Sequence, residues 1–464
     1  MPLHTPPPLP DWPTFKDEIG WKDQLSALAT RVAHCETPQV FGVHGDWGAG
    51  KSSFARQLQH NLGAKTDPSC DAHRISLPID IEATKRYKSK IVTVWFEAWR
   101  YQHEPVPVVA LLHEIRRQFE FSDQAKQRIK KLGAVTFRVM LNTLSDIGKR
   151  IGVEALPSGE KISAVGEQWE REHYAQRLGT DSIAMLLQGA IDTLLPMDDG
   201  KSDGIRPRVV VFIDDLDRCH PDAAFKLLEG IKVYLNIPKC VFVIAMNETA
   251  MQEAVAKNLP SLDKAELPPA LRLRAAHYLE KLCTNIYRLP EPAKPHDLFL
   301  SYLPDENQRS AIKELLGLLD LVYDTSTLPP NPRRLKALAN QWRRLAAIHW
   351  DSAKPMQERR DQAALLLVVA YIYQFHSAIW QLWRFDHDFW NVIEAWTRGE
   401  KPNDEAWQEC FKPLALPPGV TREDQSARTY VDPSQANIFW IASLIRTNSD
   451  LFNARQFAPY LQQA

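Results

Sequence analysis

The sequence predicts an α/β domain with a parallel β-sheet of about five strands, a helical insertion and an all-helical C-terminal domain. Short apolar runs rich in Val, Ile and Phe alternate with helical patterns up to residue 290, and only helical patterns follow. Strands buried on both faces of a parallel sheet have this composition, and their alternation with helices is typical of right-handed βαβ units. The predicted strands cover residues 40–44, 91–96, 208–214, 240–246 and 284–288.

The domain organisation follows from where these patterns begin and end. The length of 464 residues suits about three domains, or two with one of them large. Residues 1–13 are rich in proline, which predicts an N-terminal arm. The α/β domain is predicted to cover residues 14–290, and the helical domain is predicted to cover residues 291–464. The segment at about 121–197 is too long for a simple crossover between strands, and its pattern predicts a helical insertion. This insertion is interpreted either as a solvated helical hairpin or as a surface for partners.

Composition argues against several classes of protein. The formal net charge is −1, so no overall field draws the chain to nucleic acid or to an anionic membrane. The six cysteines form no CxxC pair and the start is not apolar, which predicts a cytoplasmic protein without a zinc or disulfide scaffold. The longest apolar run, residues 363–373, is too short to span a bilayer and predicts a buried helix.

The segment after the first predicted strand fits the phosphate-binding pattern GxxxxGK[ST], and an amphipathic helical pattern follows it. In this context the backbone N–H groups of the loop and the helix dipole face an anion. Lys51 is expected to reach the β- and γ-phosphates and Ser52 to bind Mg²⁺, whereas Trp47 is expected to pack against the insertion rather than on a base. The predicted nucleotide-binding residues here are Gly45, Asp46, Trp47, Gly48, Ala49, Gly50, Lys51, Ser52 and Ser53.

A second motif lies where the third predicted strand ends. Five apolar residues run into Asp214 and Asp215, with Arg218 shortly after. A buried strand that ends in a carboxylate places it at the carboxyl edge of a parallel sheet, where the phosphate loop also lies. Asp214 is therefore expected to bind Mg²⁺, and Asp215 to orient or deprotonate the attacking water. The alternative is that these acids cap the next helix or pair with Arg218.

Three segments together resemble the KAP family of P-loop NTPases: the loop at 45–53, WFEAWRY at 95–101 and IDDLDRC at 213–219. Weaker matches at 278–282 and 331–336 extend the resemblance to roughly residues 11–385. It implies a P-loop NTPase sheet of the additional-strand type, related to the STAND and AAA+ groups, in which another strand separates the Walker A and Walker B strands. Many members carry transmembrane helices between these motifs, but the charged insertion places this chain among the soluble members.

The resemblance also implies roles for residues outside the two motifs. Arg218 and Arg333 are candidates for a guanidinium that stabilises charge on the γ-phosphate, with Arg333 as a sensor arginine; a surface salt bridge is the alternative for each. Asn247 stands where the family often has Asp, and is a candidate to hydrogen-bond the γ-phosphate or water. Glu97 stands where the family often has Asn.

These features predict a Mg²⁺-dependent NTPase, acting on ATP (or GTP), that works as a switch or assembly module. Nucleotide would gate contacts with a partner protein or with a second copy of the chain. The resemblance implies bacterial roles that include anti-phage defence. The alternative is a nucleotide-binding scaffold with little or no hydrolysis, which the departures at Glu97 and Asn247 favour. A nucleic-acid motor is a third hypothesis, resting on the basic residues between 333 and 344 without support from the overall charge.

Overall fold

The computed structural model describes a part of the chain in each of its two units. The described residues are 7–14, 17–63, 81–103, 110, 111, 114, 188, 191, 195, 204–234, 238–259, 268–292, 294–323, 328–377, 380–382 and 405–406. The predicted insertion at 121–197 therefore lies outside them, apart from three isolated positions, and so does most of the chain beyond 382. The chain divides into two compact units, residues 13–290 and residues 1–12 together with 291–464.

The first unit is built on a five-stranded parallel sheet in the order β2-β3-β4-β1-β5. The strands are β1 Gln39–His44, β2 Ile91–Glu97, β3 Arg208–Asp214, β4 Cys240–Met246 and β5 Asn285–Arg288. Each lies within one or two residues of its predicted position. Strand β4 separates β1, which precedes the phosphate loop, from β3, which ends in the acids. The predicted additional-strand sheet is thus confirmed.

The central strands are apolar in their middle because both of their faces are covered. All seven residues of β3 and of β4 are buried. Successive side chains of a strand point to opposite faces, so Val209 and Val211 pack in one core cluster, whereas Val210 and Phe212 pack in the other. Each such side chain contributes roughly 1.5–3 kcal/mol of hydrophobic free energy on burial.

Helices on both faces complete this unit. On one face lie α1 Lys22–His34, α2 Lys51–Asn61 and α3 Ile81–Lys90, which bury residues such as Leu25, Phe54 and Tyr87. On the other lie α4 Pro221–Tyr234, α5 Glu248–Asn258 and α6 Pro268–Leu282, which bury residues such as Leu228 and Val255. The result is a three-layer arrangement in which the loops after the strands meet at one edge of the sheet.

The second unit is helical wherever it has described regular structure. Its helices are α7 Pro295–Ser301, α8 Glu306–Tyr323, α9 Pro332–His349 and α10 Met356–Phe375. Helix α9 has Pro332 at its first turn and Asn331 as N-cap, whose side chain accepts a hydrogen bond from Arg334 N at 3.2 Å. Leu9 belongs to this unit: its N–H donates to Asn340 Oδ1 at 2.7 Å, and its carbonyl accepts from Asn340 Nδ2 at 3.3 Å.

The long apolar run forms the centre of α10. Residues 363–372 are all buried, which confirms the predicted buried helix. Among the described residues, no helix combines the length and apolar character needed to cross a membrane.

Candidate nucleotide-binding site

The loop between β1 and α2 has the conformation that the glycine pattern predicts. Gly50 precedes α2 with φ of +96°, and the first helical hydrogen bond runs from Phe54 N to Gly50 O at 2.9 Å. The N–H groups of the preceding first turn therefore remain available to an anion. A Cβ at Gly50 would lie 2.6 Å from the ring of buried Trp21. Only glycine satisfies both the backbone angle and this close contact.

Lys51 lies inside this loop rather than in solvent. Only 9% of its side chain is exposed. Its Nζ donates to Gly45 O at 2.9 Å and to Asp46 O at 3.2 Å, and it lies 3.1 Å from Asp217 Oδ2. The ammonium group is thus held beside the open N-terminus of α2, where a phosphate group would enter.

Ser52 and Asp214, the two predicted magnesium ligands, meet at the carboxyl edge of the sheet. Asp214 is the last residue of β3, is 5% exposed, and accepts a hydrogen bond from the Ser52 hydroxyl. Within the described part of the chain, no donor reaches its buried Oδ1. Burial, reinforced by the neighbouring Asp215 charge, raises the pKa of Asp214 to about 6 although the Ser52 bond opposes the shift. A carboxylate oxygen without a donor, next to a hydroxyl, suits a magnesium ion.

Asp215 adopts a left-handed conformation, with φ of +57°, and begins a tight turn at Leu216–Arg218. Its Oδ1 lies 2.8 Å from Arg218 Nε, which is the pairing that the alternative interpretation expected. Burial raises the pKa of Asp215, and the Arg218 charge opposes that shift. A non-glycine residue in this conformation stores strain on the order of 1 kcal/mol, which is common where backbone geometry serves a site.

Asn247 links the phosphate loop to the acidic turn. It is the N-cap of α5, and its Oδ1 accepts from Ala250 N at 2.9 Å. Its Nδ2 donates to Asp46 Oδ1 at 3.1 Å, and its backbone N–H donates to Asp217 Oδ2 at 3.0 Å. The structure therefore places Asn247 beside the loop, where its side-chain Nδ2 donates to Asp46 and its Oδ1 accepts from Ala250.

Two charged groups near the site, Arg56 and Asp217, were not singled out by sequence reasoning. Arg56 lies over the Trp95 ring at 3.5 Å, and its Nη2 is 3.7 Å from Glu97 Oε1. Its positive charge lowers the pKa of Asp214 against the larger effect of burial. Arg56 follows Ser52 by four residues, and this helical spacing could have indicated that both face the end of β3.

Next to the loop, a polar cluster around the buried His44 links β1 to β5 and α5. His44, the last residue of β1, is 3% exposed, and its Nδ1 lies 3.3 Å from Glu248 Oε2. Glu248 also accepts from Arg288 Nη2 at 3.1 and 3.0 Å. Burial lowers the pKa of His44, although the carboxylate of Glu248 opposes the shift. The cluster fixes the strand end from which the loop departs.

Some predicted site residues have other contacts. The Ser53 hydroxyl accepts a hydrogen bond from Thr14 N at 3.0 Å. Trp47 is 62% exposed; the insertion on which it was expected to pack lies outside the described residues. Arg333 belongs to the second unit, where its Nε lies 2.9 Å from Asp11 Oδ2. For Arg333, as for Arg218, a salt bridge is the observed contact.

Comparison with known proteins agrees with this geometry. The model of the KAP family P-loop domain matches residues 22–294, a range that contains all five strands. Comparison with curated proteins gives no match. Among solved structures, the chain is similar to the Aeropyrum pernix ORC2 protein (ADPNP-ADP complexes), with 11% identity, 95% of this chain and 96% of that chain covered, and a TM-score of 0.36. A score this low carries no inference about the chain.

The raised pKa of Asp214 predicts a specific dependence of stability on pH. The pKa of Asp214 in the folded protein, about 6, exceeds the reference value of 3.8. The contribution of Asp214 to the free energy of unfolding therefore falls as pH rises from 3.8 through about 6. Two pKa units correspond to about 3 kcal/mol, and relaxation reduces the realised cost to the order of 1 kcal/mol. Without nucleotide or metal, we expect Asp214→Asn to raise the melting temperature by a few degrees at pH 7.5, and by less at pH 4.5.

Calorimetry with a chelator present measures this difference. The matched control is Asp222→Asn, because the Asp222 side chain is 65% exposed on the first turn of α4. If Asp214→Asn stabilises the protein less at pH 7.5 than at pH 4.5, relative to wild type, the assignment of a buried and incompletely compensated carboxylate is contradicted.

Proposed function

The chain belongs to the KAP family of P-loop NTPases, and we propose that it is a Mg²⁺-dependent ATPase (or GTPase) that acts as a nucleotide-driven switch or assembly module. The observation that carries this proposal is the convergence of three groups at one edge of the sheet. Lys51 lies in the phosphate loop, and Ser52 bonds to Asp214 at the end of β3. A cation-binding pair beside a phosphate-binding lysine is the arrangement that phosphoryl transfer requires.

Each group has a distinct role in this proposal. The N–H groups at the start of α2 and the Lys51 ammonium bind the phosphates. Ser52 and Asp214 hold Mg²⁺, which supplies neutralisation of phosphate charge when bound. Asp215 orients the attacking water or accepts its proton, and its raised pKa suits a group that must take up a proton.

The two arginines are proposed to respond to the state of the nucleotide. Arg218 is exposed and pairs with Asp215, so it can exchange that carboxylate for a more highly charged phosphate. The Arg333–Asp11 pair has exposed fractions of 45% and 62%, and pairs this exposed contribute about 0–1 kcal/mol. Arg333 can therefore leave Asp11 at little cost and report nucleotide state from the helical unit.

The cellular role is proposed from the family and from the thiols. All four cysteines among the described residues are free, as in a reducing cytoplasm. The family resemblance favours anti-phage defence in bacteria. Plaque counts on cells that express the wild-type chain or its Lys51→Ala variant would test that role, and equal protection by both would refute a nucleotide-dependent one.

The alternative function, a nucleotide-binding scaffold, is favoured by the engagement of the groups needed for hydrolysis. Asp215 is paired with Arg218, and Asn247 already donates to Asp46. A chain that keeps these pairs with nucleotide bound would hold nucleotide without cleaving it.

Lys51→Ala tests the phosphate-binding role. The loss of a charge-assisted contact to phosphate is worth roughly 1.5–3 kcal/mol, so we expect nucleotide to bind about 10- to 100-fold more weakly and turnover to be abolished. Calorimetric titration and phosphate release measure the two effects. Lys22→Ala, an exposed lysine at the start of α1, is the control and should retain both. Unchanged turnover in Lys51→Ala would contradict the mechanism.

Asp215→Asn separates the ATPase from the scaffold. Asparagine tolerates the left-handed conformation but cannot accept the proton, so we expect turnover to fall on the order of 10²-fold or more. Nucleotide affinity should stay within about threefold of wild type, because Lys51 and Asp214 are intact. If wild type retains ATP without releasing phosphate, and Asp215→Asn behaves identically, the scaffold function is correct. Asp222→Asn again serves as the control.

A nucleotide-dependent change of assembly tests the switch. We expect size-exclusion chromatography with light scattering to give different masses with and without a slowly hydrolysed ATP analogue, because nucleotide is proposed to gate contacts between copies or with a partner. Lys51→Ala should give one mass under both conditions. The same mass for wild type in both conditions, with or without cell extract present, would contradict a switch.

A further inference from the structure

The acidic motif contains a third carboxylate, Asp217, that the proposed mechanism does not use. Its side chain is 3% exposed, yet it lies 3.1 Å from Lys51 Nζ. Asp214 and Asp215, by contrast, are not the partners of this ammonium group: Asp214 bonds to Ser52 and Asp215 pairs with Arg218. The lysine of the phosphate loop therefore already has an ion-pair partner within the protein, Asp217.

The contacts of the Lys51 ammonium group show how the Asp217 ion pair affects phosphate binding. An ammonium group has three N–H donors. Three acceptors surround it among the described residues: Gly45 O at 2.9 Å, Asp46 O at 3.2 Å and Asp217 Oδ2 at 3.1 Å. Two of the three donors are thus bonded to loop carbonyls, and the Asp217 carboxylate lies beside the ammonium group as an ion-pair partner. A phosphate group that approaches Lys51 must compete with this ion pair.

Asp217 is the acceptor best suited to leave. Gly45 and Asp46 offer backbone carbonyls of the loop itself, and Gly45 N is tied to Met246 O at 3.3 Å. The Asp217 carboxylate, in contrast, is negatively charged and repels an arriving phosphate in a poorly solvated site. It also retains a donor after the exchange, because the backbone N–H of Asn247 reaches the same oxygen at 3.0 Å.

The shared oxygen connects nucleotide arrival to α5. Asp217 Oδ2 forms an ion pair with Lys51 and accepts a hydrogen bond from the backbone N–H of Asn247, whose side chain donates to Asp46 Oδ1 in the loop. When Lys51 turns to a phosphate, Asp217 keeps only its bond to the N-cap of α5. The junction of β4 and α5 therefore loses one of its links to the loop when a phosphate binds and regains it when the phosphate leaves.

We propose that Asp217 is a positioning residue that competes with phosphate for Lys51, so that it sets the nucleotide affinity of the loop and transmits nucleotide arrival to Asn247. This inference rests on the proposed function, because it requires that the loop binds a nucleotide phosphate. It assigns Asp217 neither to the metal nor to the attacking water.

Asp217→Asn tests the competition. The amide keeps an acceptor for Asn247 but removes the charge, so we expect ATP and ADP to bind roughly 10-fold more tightly, in Mg²⁺ and in chelator alike. The value of KM should fall while kcat changes by less than about threefold. Destabilisation of the fold alone would not lower KM at a nearly constant kcat. In a Lys51→Ala background the same substitution should tighten binding by clearly less, because the competition for Lys51 is then absent and only the direct repulsion between Asp217 and phosphate is removed. Asp222→Asn is the control and should alter none of these values.

The outcomes distinguish this inference from the function on which it rests. If wild type binds nucleotide and Lys51→Ala weakens binding, but Asp217→Asn binds no more tightly, the inference is overturned and the function stands. Weaker binding by Asp217→Asn in Mg²⁺ alone would make Asp217 a metal ligand and would also overturn it. If wild type binds no nucleotide, the function and the inference both fail.

A structure of wild type with a slowly hydrolysed ATP analogue gives an answer that does not depend on folding of the variant. We expect Lys51 Nζ to lie beyond roughly 4 Å from Asp217 Oδ2 while Asn247 N keeps its bond to that oxygen. A Lys51–Asp217 distance still near the present 3.1 Å, with phosphate on the loop, would overturn the proposal.

Discussion

The arrangement of the site depends on three charged side chains that are almost completely buried at the carboxyl edge of the sheet. Lys51 and Asp214 are 8% and 5% exposed, and the Asp217 side chain is 3% exposed. Charges so buried are costly unless partners satisfy them. The sheet order brings those partners together, because β1 and β3 both flank β4 and deliver the phosphate loop and the acids to its two sides. Met246, at the end of β4, accepts from Gly45 N at 3.3 Å and joins the two halves.

Compensation is complete for Lys51 and incomplete for Asp214. The ammonium group has two carbonyl acceptors and one carboxylate beside it, whereas Asp214 accepts from the Ser52 hydroxyl and has a buried oxygen that no donor in the described residues reaches. The left-handed backbone at Asp215 adds strain next to it. Both of these features lie in the acidic motif at the end of β3. Stability is therefore lower where a cation and a phosphate are proposed to bind, and their binding would restore it.

The sequence was sufficient for features encoded by local patterns. Apolar runs predicted all five strands, and the order of strand, glycine loop and helix predicted the position of Lys51 beside the sheet edge. It was not sufficient for contacts between distant segments, such as Asp217 with Lys51 or Arg56 with Trp95, which depend on strand order and register. Asp11 with Arg333 is of the same kind, because no local pattern reveals which exposed charges will meet.

The two departures from the family pattern have physical explanations in the structure. Glu97 is opposite Asp214 in the β2–β3 register, where a second carboxylate would repel the first. Arg56 lies near it and Arg100 pairs with it, so two cations offset the added charge. Asn247 donates to Asp46 Oδ1 while its own Oδ1 caps α5, and an aspartate could not donate to that carboxylate. Each substitution is thus matched to a neighbour in this chain, and neither removes Lys51, Ser52 or Asp214 from the edge where phosphate chemistry would occur.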